Sequence, residues 1–258
     1  MTPLIRRGRL AEASERPDDS PHASDIARDG ARRRLTRFAL LGIGAYAVAM
    51  VATIPAGAVV DRGTWRTGIG GTIWNGEAGL AGGSKLEWSW APLRSLVNLA
   101  FAIDWTANGD ATTLGGRALI GPTSTTVDAM SGSADGTLIQ ALQPDLPFVC
   151  DMAMQLDFPR AKLGGGGQMV EGRLLTEPGT CRPKAGGAAT PVPALILTAE
   201  HIGATSRLTL APATQRRRTL MTMALAQDGT VDITLTPEGA AALPFVGLPP
   251  GGSIRGKI

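Results

Sequence analysis

The sequence predicts a mostly β protein: an antiparallel β-sheet or sandwich-like domain with short helices, behind a single N-terminal transmembrane helix. Three observations predict it. Beyond residue 61, apolar and polar residues alternate with a period of two, the mark of half-buried strands. Glycine and proline supply 34 and 18 of 258 residues, so turns are many and long soluble helices are not expected. One run, Phe38–Val60, carries no charge over 23 residues.

The first element is the tail. Residues 1–31 mix Arg, Asp, Ser and Pro with few apolar groups and cannot bury enough surface to offset their ordering entropy. They are expected to be disordered, and residues 1–37 to form a basic cytoplasmic tail. Nine Arg against six acids in residues 1–37 account for the whole net charge of +3. Residues 61–258 hold 16 basic and 16 acidic side chains, so the larger part has no bulk electrostatic reason to bind nucleic acid.

The second element is the membrane span, expected over residues 38–60. At about 1.5 Å per residue, about 20 residues cross a bilayer core of about 30 Å. Arg32, Arg33, Arg34 and Arg37 precede the run, which places the N-terminal side in the cytoplasm and residues 61–258 across the membrane. In a bacterium that compartment is the periplasm. The rival reading is a signal peptide cleaved after Ala56-Gly57-Ala58. The length of the basic region and of the apolar run favours a retained anchor. The arginine cluster also matches a loose twin-arginine signal, but a positive-inside cluster explains it as well.

The exported elements follow. Leu86, Trp88 and Trp90 alternate with Lys85, Glu87 and Ser89. Phe101, Ile103 and Trp105 alternate with Ala102 and Asp104, and Asn108-Gly109 supplies a turn. Further strands are expected at 149–158, 195–197, 208–210, 220–223 and 231–235. Short helices are expected at Pro92–Asn98 and Pro237–Leu243, the second with Thr236 as N-cap and Pro237 in the first turn. Pro183–Pro193 reads either as a linker or as a mobile loop within one sheet.

Cys150 and Cys181 both fall in the exported part, where disulfides persist. They are symmetrical about the run Gly164–Gly167. A hairpin folded there, with arms Phe148–Phe158 and Met169–Cys181, brings them opposite each other and predicts a bridge. Free catalytic thiols would need an adjacent base, which the sequence does not supply.

Chemistry is poorly provided for. The chain has two His and one Tyr. His22 lies in the tail, leaving His201, so neither a His-rich metal site nor a His-dependent active site can be built readily. Gly251–Lys257 matches a phosphate loop only in part, because no Ser/Thr and no helix follow. Arg216-Arg217-Arg218 reads as a solvated turn, against an anionic-lipid or partner site. No catalytic, cofactor or metal site is expected. All five Trp lie between residues 65 and 105. They form either a core face or a groove for lipid or glycan, and a channel lined by Trp88, Trp90 and Phe101 would favour lipid handling.

Gly71-Thr72-Ile73-Trp74-Asn75-Gly76-Glu77-Ala78 resembles the G-[ST]-[LIV]-W-[SN]-G-x-A signature of the type II secretion system protein N family. Leu86-x-Trp88-x-Trp90-x-Pro92-Leu93 resembles that family's L-x-W-x-x-x-P-L segment, and Met130-Ser131-Gly132 matches in a short piece. The layout, one anchor and about 200 β-rich exported residues, is similar too. The resemblance implies an accessory, non-catalytic inner-membrane component of the machine that moves folded proteins from the periplasm outward. It implies partners among the other components, the outer-membrane secretin or the inner-membrane platform. Its motif residues are Gly71, Thr72, Trp74, Gly76, Trp88 and Pro92, with Gly71 and Gly76 permitting tight turns and Trp74 packing beneath the sheet. A periplasmic lipid-handling protein, with an apolar β-groove that shields acyl chains, is the alternative.

Overall fold

The computed structural model describes residues 22–59, 66–80, 83–165 and 167–257. The chain divides into two compact units, the first ending at Ala52 and the second beginning at Thr53.

The first unit contains one helix, α1 (His22–Ala52). Its stretch Arg33–Ala52, 20 residues, is long and apolar enough to cross a membrane. Phe38, Leu41 and Tyr46 on it are 71, 69 and 68 % exposed. Two expectations are corrected here. Residues 22–31, expected to be disordered, belong to the helix, whereas residues 1–21 lie outside the described ones. The helix also stops at Ala52 rather than at residue 60. Pro55 has no N–H to continue it and disfavours helical geometry at Ile54. The rest of the apolar run joins the second unit. The Ile54 carbonyl accepts from the Ile73 N–H at 3.1 Å, Pro55 forms a bridge with Thr72, and Ala56 is wholly buried.

The second unit opens with α2 (Ala56–Val59), β1 (Arg66–Gly71), β2 (Asn75–Leu80), β3 (Lys85–Trp90), α3 (Pro92–Asn98), β4 (Phe101–Asn108), β5 (Thr113–Ile120) and β6 (Ser124–Asp135). Next come α4 (Gly136–Leu142), β7 (Phe148–Asp151), β8 (Ala153–Gly164), β9 (Met169–Thr176), β10 (Gly179–Pro183) and β11 (Thr190–Val192). It closes with β12 (Leu195–Ile202), β13 (Thr205–Pro212), β14 (Met221–Ala226), β15 (Thr230–Leu235), α5 (Pro237–Ala242), a 3-10 turn at Pro244–Val246 and β16 (Ser253–Lys257). Of the two forms the sequence allows, the structure has the sheet. Thirteen antiparallel strands follow one another almost in chain order, and only β7, β10 and β11 leave to form a small sheet of their own.

Alternation makes this sheet two-faced. One cross-strand row runs from Ile69 on β1 through Ala78, Leu86, Ala107 and Leu114. It continues through Gly132, Leu156, Leu174, Leu197, Leu210 and Met221 to Leu235 on β15. At about 4.8 Å between strands that is an apolar track about 50 Å long. The opposite face carries the pairs Asp157–Arg173 (3.0 Å) and Asp232–Arg255 (2.7 Å), whose arginines are exposed and which contribute little to stability.

Two groups of buried residues cover parts of the apolar face. Leu138 on α4 packs with Leu80, Leu114 and Met154, and Phe245 after α5 packs with Cys181, Leu195 and Leu220. The Gly-run hairpin is β8–β9, but its arms change sheets. Met154 pairs with Thr176 in the large sheet, and beyond them Cys150 pairs with Cys181 in the small one. The two cysteines form a disulfide with their Cα atoms 4.1 Å apart. Residues 183–193 are a loop within one sheet rather than a linker: β10 and β11 pair as a hairpin, Cys181 opposite Thr190, and residues 184–189 form its exposed loop.

Candidate functional site

The two segments that carry the resemblance fold into one interlocked module. Gly71 closes β1 at φ +79, and a Cβ there would stand 2.5 Å from the Asn75 carbonyl oxygen. Only glycine combines that angle with that approach. Thr72 then holds the turn: its N–H donates to the Asn75 carbonyl at 2.8 Å, and its Oγ1 accepts from the Asn75 N–H at 3.2 Å. Gly76 faces Trp88 across β2 and β3, and the indole lies where a side chain at 76 would stand. Close approach is what makes the second glycine necessary. Trp88 Nε1 donates to the Ile73 carbonyl at 3.2 Å, so turn and strand are fastened together.

Trp74 is half-buried rather than beneath the sheet. It meets Trp90 and Phe101 edge-on, with ring centroids 4.7 and 5.7 Å away, and its carbonyl accepts from the Trp90 N–H at 2.6 Å. Pro92 begins α3, as expected, where a missing N–H costs nothing. Ser95 ties α3 to the sheet, its Oγ accepting from Trp90 Nε1 at 2.8 Å and from the Ala102 N–H at 2.9 Å. Arg94 pairs with Asp104 on β4. At the outer side of the module, Lys85 lies between Glu77 at 2.6 Å and Glu87 at 2.9 Å. The two carboxylates, Glu77 foremost, hold the exposed ammonium well above the usual lysine range.

Beside the module the apolar face is open. A groove of about 630 Å³ is lined by Leu86, Trp88, Ile103, Trp105, Met130 and Leu156, with Leu138 of α4 at its side. Of Trp88, Trp90 and Phe101, a channel of which would have favoured lipid handling, only Trp88 lines the groove. The other two pack against Trp74 and do not line the groove. Trp105 was legible in the alternation of β4. So was Leu156, in the strand expected at 149–158, whereas the place of Met130 was hidden, because Ala129 at φ +53 inserts an irregularity in β6 that breaks the alternation before it.

No chemical constellation forms at the remaining candidates. His201 Nδ1 lies 3.0 Å from Ser206 Oγ, but that hydroxyl is wholly buried and also accepts the Val170 N–H at 2.9 Å. Ser206 is therefore a packing hydroxyl rather than a nucleophile. Arg216, Arg217 and Arg218 are exposed in the turn between β13 and β14. Residues 253–257 form a strand paired with β15, the wrong geometry for a phosphate loop. Among the described residues no three His, Cys, Asp or Glu side chains gather in a way that could hold a metal ion. No protein family, curated protein or solved structure matches the chain.

Proposed function

We propose that this protein is an accessory, non-catalytic inner-membrane component of the type II protein secretion system. The observation that carries the reading is the module itself. Gly71, Thr72, Trp74, Gly76, Trp88 and Pro92, which the resemblance singles out, serve one another structurally although 20 residues separate the first from the last. Its work is contact with other components, the secretin or the inner-membrane platform. The N-terminus is cytoplasmic, α1 is a retained single-pass anchor, and the β unit is periplasmic. The Cys150–Cys181 bridge supports an oxidising compartment. Retention is supported by Ile54, Pro55 and Ala56, which the β unit uses and which cleavage after Ala58 would remove.

Deleting the protein tests this. The expected outcome is periplasmic accumulation of substrates normally secreted by the type II route, with envelope lipid composition unchanged. Normal secretion under inducing conditions would overturn it. One observation favours a second reading, lipid handling: the open apolar groove, whose lining is nearly all hydrocarbon and indole. That reading predicts acyl lipid co-purifying with the protein and altered outer-membrane permeability on deletion.

A further inference from the structure

The polarity of α3 is inverted. Two of its polar residues face the sheet: Ser95 bonds Trp90 and Ala102, and Arg94 pairs with Asp104 on β4. Its apolar residues face outward, with Leu93, Leu96 and Val97 exposed by 80, 73 and 82 %. Positions 93, 96 and 97 share one helix face. Leu99 extends the patch at 88 % exposure, held in left-handed geometry at φ +48. That geometry is uncommon outside glycine, and here it holds a leucine side chain out in solvent. Trp90 borders the patch at 38 % exposure, its Nε1 satisfied by Ser95.

We propose that this patch is a footing on the bilayer surface, a proposal that rests on the anchored, exported reading above. Chain connectivity names the occupant. Ala52 ends the apolar helix, and Ile54, two residues on, is already hydrogen-bonded to Ile73. Two residues reach at most about 7 Å. From Ile73 the connection is continuous, through the Trp74 carbonyl to Trp90 and through Trp90 Nε1 to Ser95 of α3. The strip that bears the leucines is thus the strip fastened to the membrane-leaving chain. A short helix with an outward apolar face and a bordering tryptophan suits the headgroup boundary, where apolar side chains sink in and indoles sit at the interface.

The test is spin-label depth measurement on the full chain in vesicles of phosphatidylethanolamine and phosphatidylglycerol. Cys150 and Cys181 are bonded to each other, so an introduced cysteine is the one free thiol among the described residues. Labels are placed singly by Val97→Cys, Leu96→Cys, Gly44→Cys in α1 and Ile202→Cys, an exposed apolar position at the end of β12. The expected result is oxygen access exceeding that of a water-soluble nickel chelate at 96, 97 and 44, and the reverse at 202. If 97 and 96 behave like 202 while 44 is in lipid, the footing is wrong and the anchor stands. If 44 is also in water, the anchor reading fails and takes the footing with it. Low access of both reagents at 96 and 97 would mean that protein covers the patch, which also overturns the proposal.

Discussion

Gly76 has no side chain, and the indole of Trp88 fills the space beside its Cα. A single methyl group at this position must move a ring that is hydrogen-bonded to Ile73 and part of a strand. Overpacking of this kind costs about 1–3 kcal/mol. Gly76→Ala is expected to lower the urea midpoint with an unchanged m-value, and Trp88→Phe in the same chain to couple with it non-additively. Strictly additive effects would mean that the two residues do not share this space. Both glycines were read in the sequence as permitting tight turns; Gly71 does, whereas Gly76 lies in β2. The reason for Gly76 could not be read locally, because it lies in the partner twelve residues downstream. Trp74 was read as a core residue, yet it sits half-exposed in a cluster with Trp90 and Phe101. Its truncation is therefore expected to cost less than the about 3–5 kcal/mol of a fully buried aromatic.

The elements differ in how openly their sequences announce them. α5 is explicit: Thr236 Oγ1 accepts from the Gly239 N–H at 3.0 Å, with Pro237 in the first turn. The same hydroxyl donates to the Thr219 or Leu220 carbonyl, so Thr236→Ala is expected to cost about 1–2 kcal/mol, read as a lower thermal midpoint. The β8–β9 hairpin was equally explicit, since equal spacing about the Gly run fixes which residues face each other. Closing 31 residues, the Cys150–Cys181 bridge contributes about 3 kcal/mol in the chain-entropy picture. Cys150→Ser with Cys181→Ser is expected to lose about that much in equilibrium unfolding, while an unchanged midpoint would show that the pairing constrains nothing. β6 and α4 were hidden. Small residues, Gly132 and Ala134, occupy the inward positions of β6, and Ala129 interrupts its register. Asp135 precedes α4 without capping its backbone, its carboxylate accepting from Thr137 Oγ1 instead. Seven residues then give too little helical period to recognise.

Across the whole molecule, one alternating pattern repeated over thirteen strands yields a sheet with one apolar and one charged face. Two partial covers, α4 and the segment after α5, leave the Trp88–Trp105 stretch open, which is why the groove forms beside the motif module. The uncharged run pointed to a membrane but concealed its own division. Its first part is the end of α1, and its last residues serve the β unit through Ile54 and Pro55. Secretion, the disulfide's compartment and the bilayer footing all depend on one claim, that α1 crosses the inner membrane with the β unit outside the cytoplasm. Paired reporter fusions after Ile258 of the full chain measure it directly. The expected result is activity from a reporter that matures only in the periplasm and silence from one that matures only in the cytoplasm. An active cytoplasmic reporter at that position would contradict it.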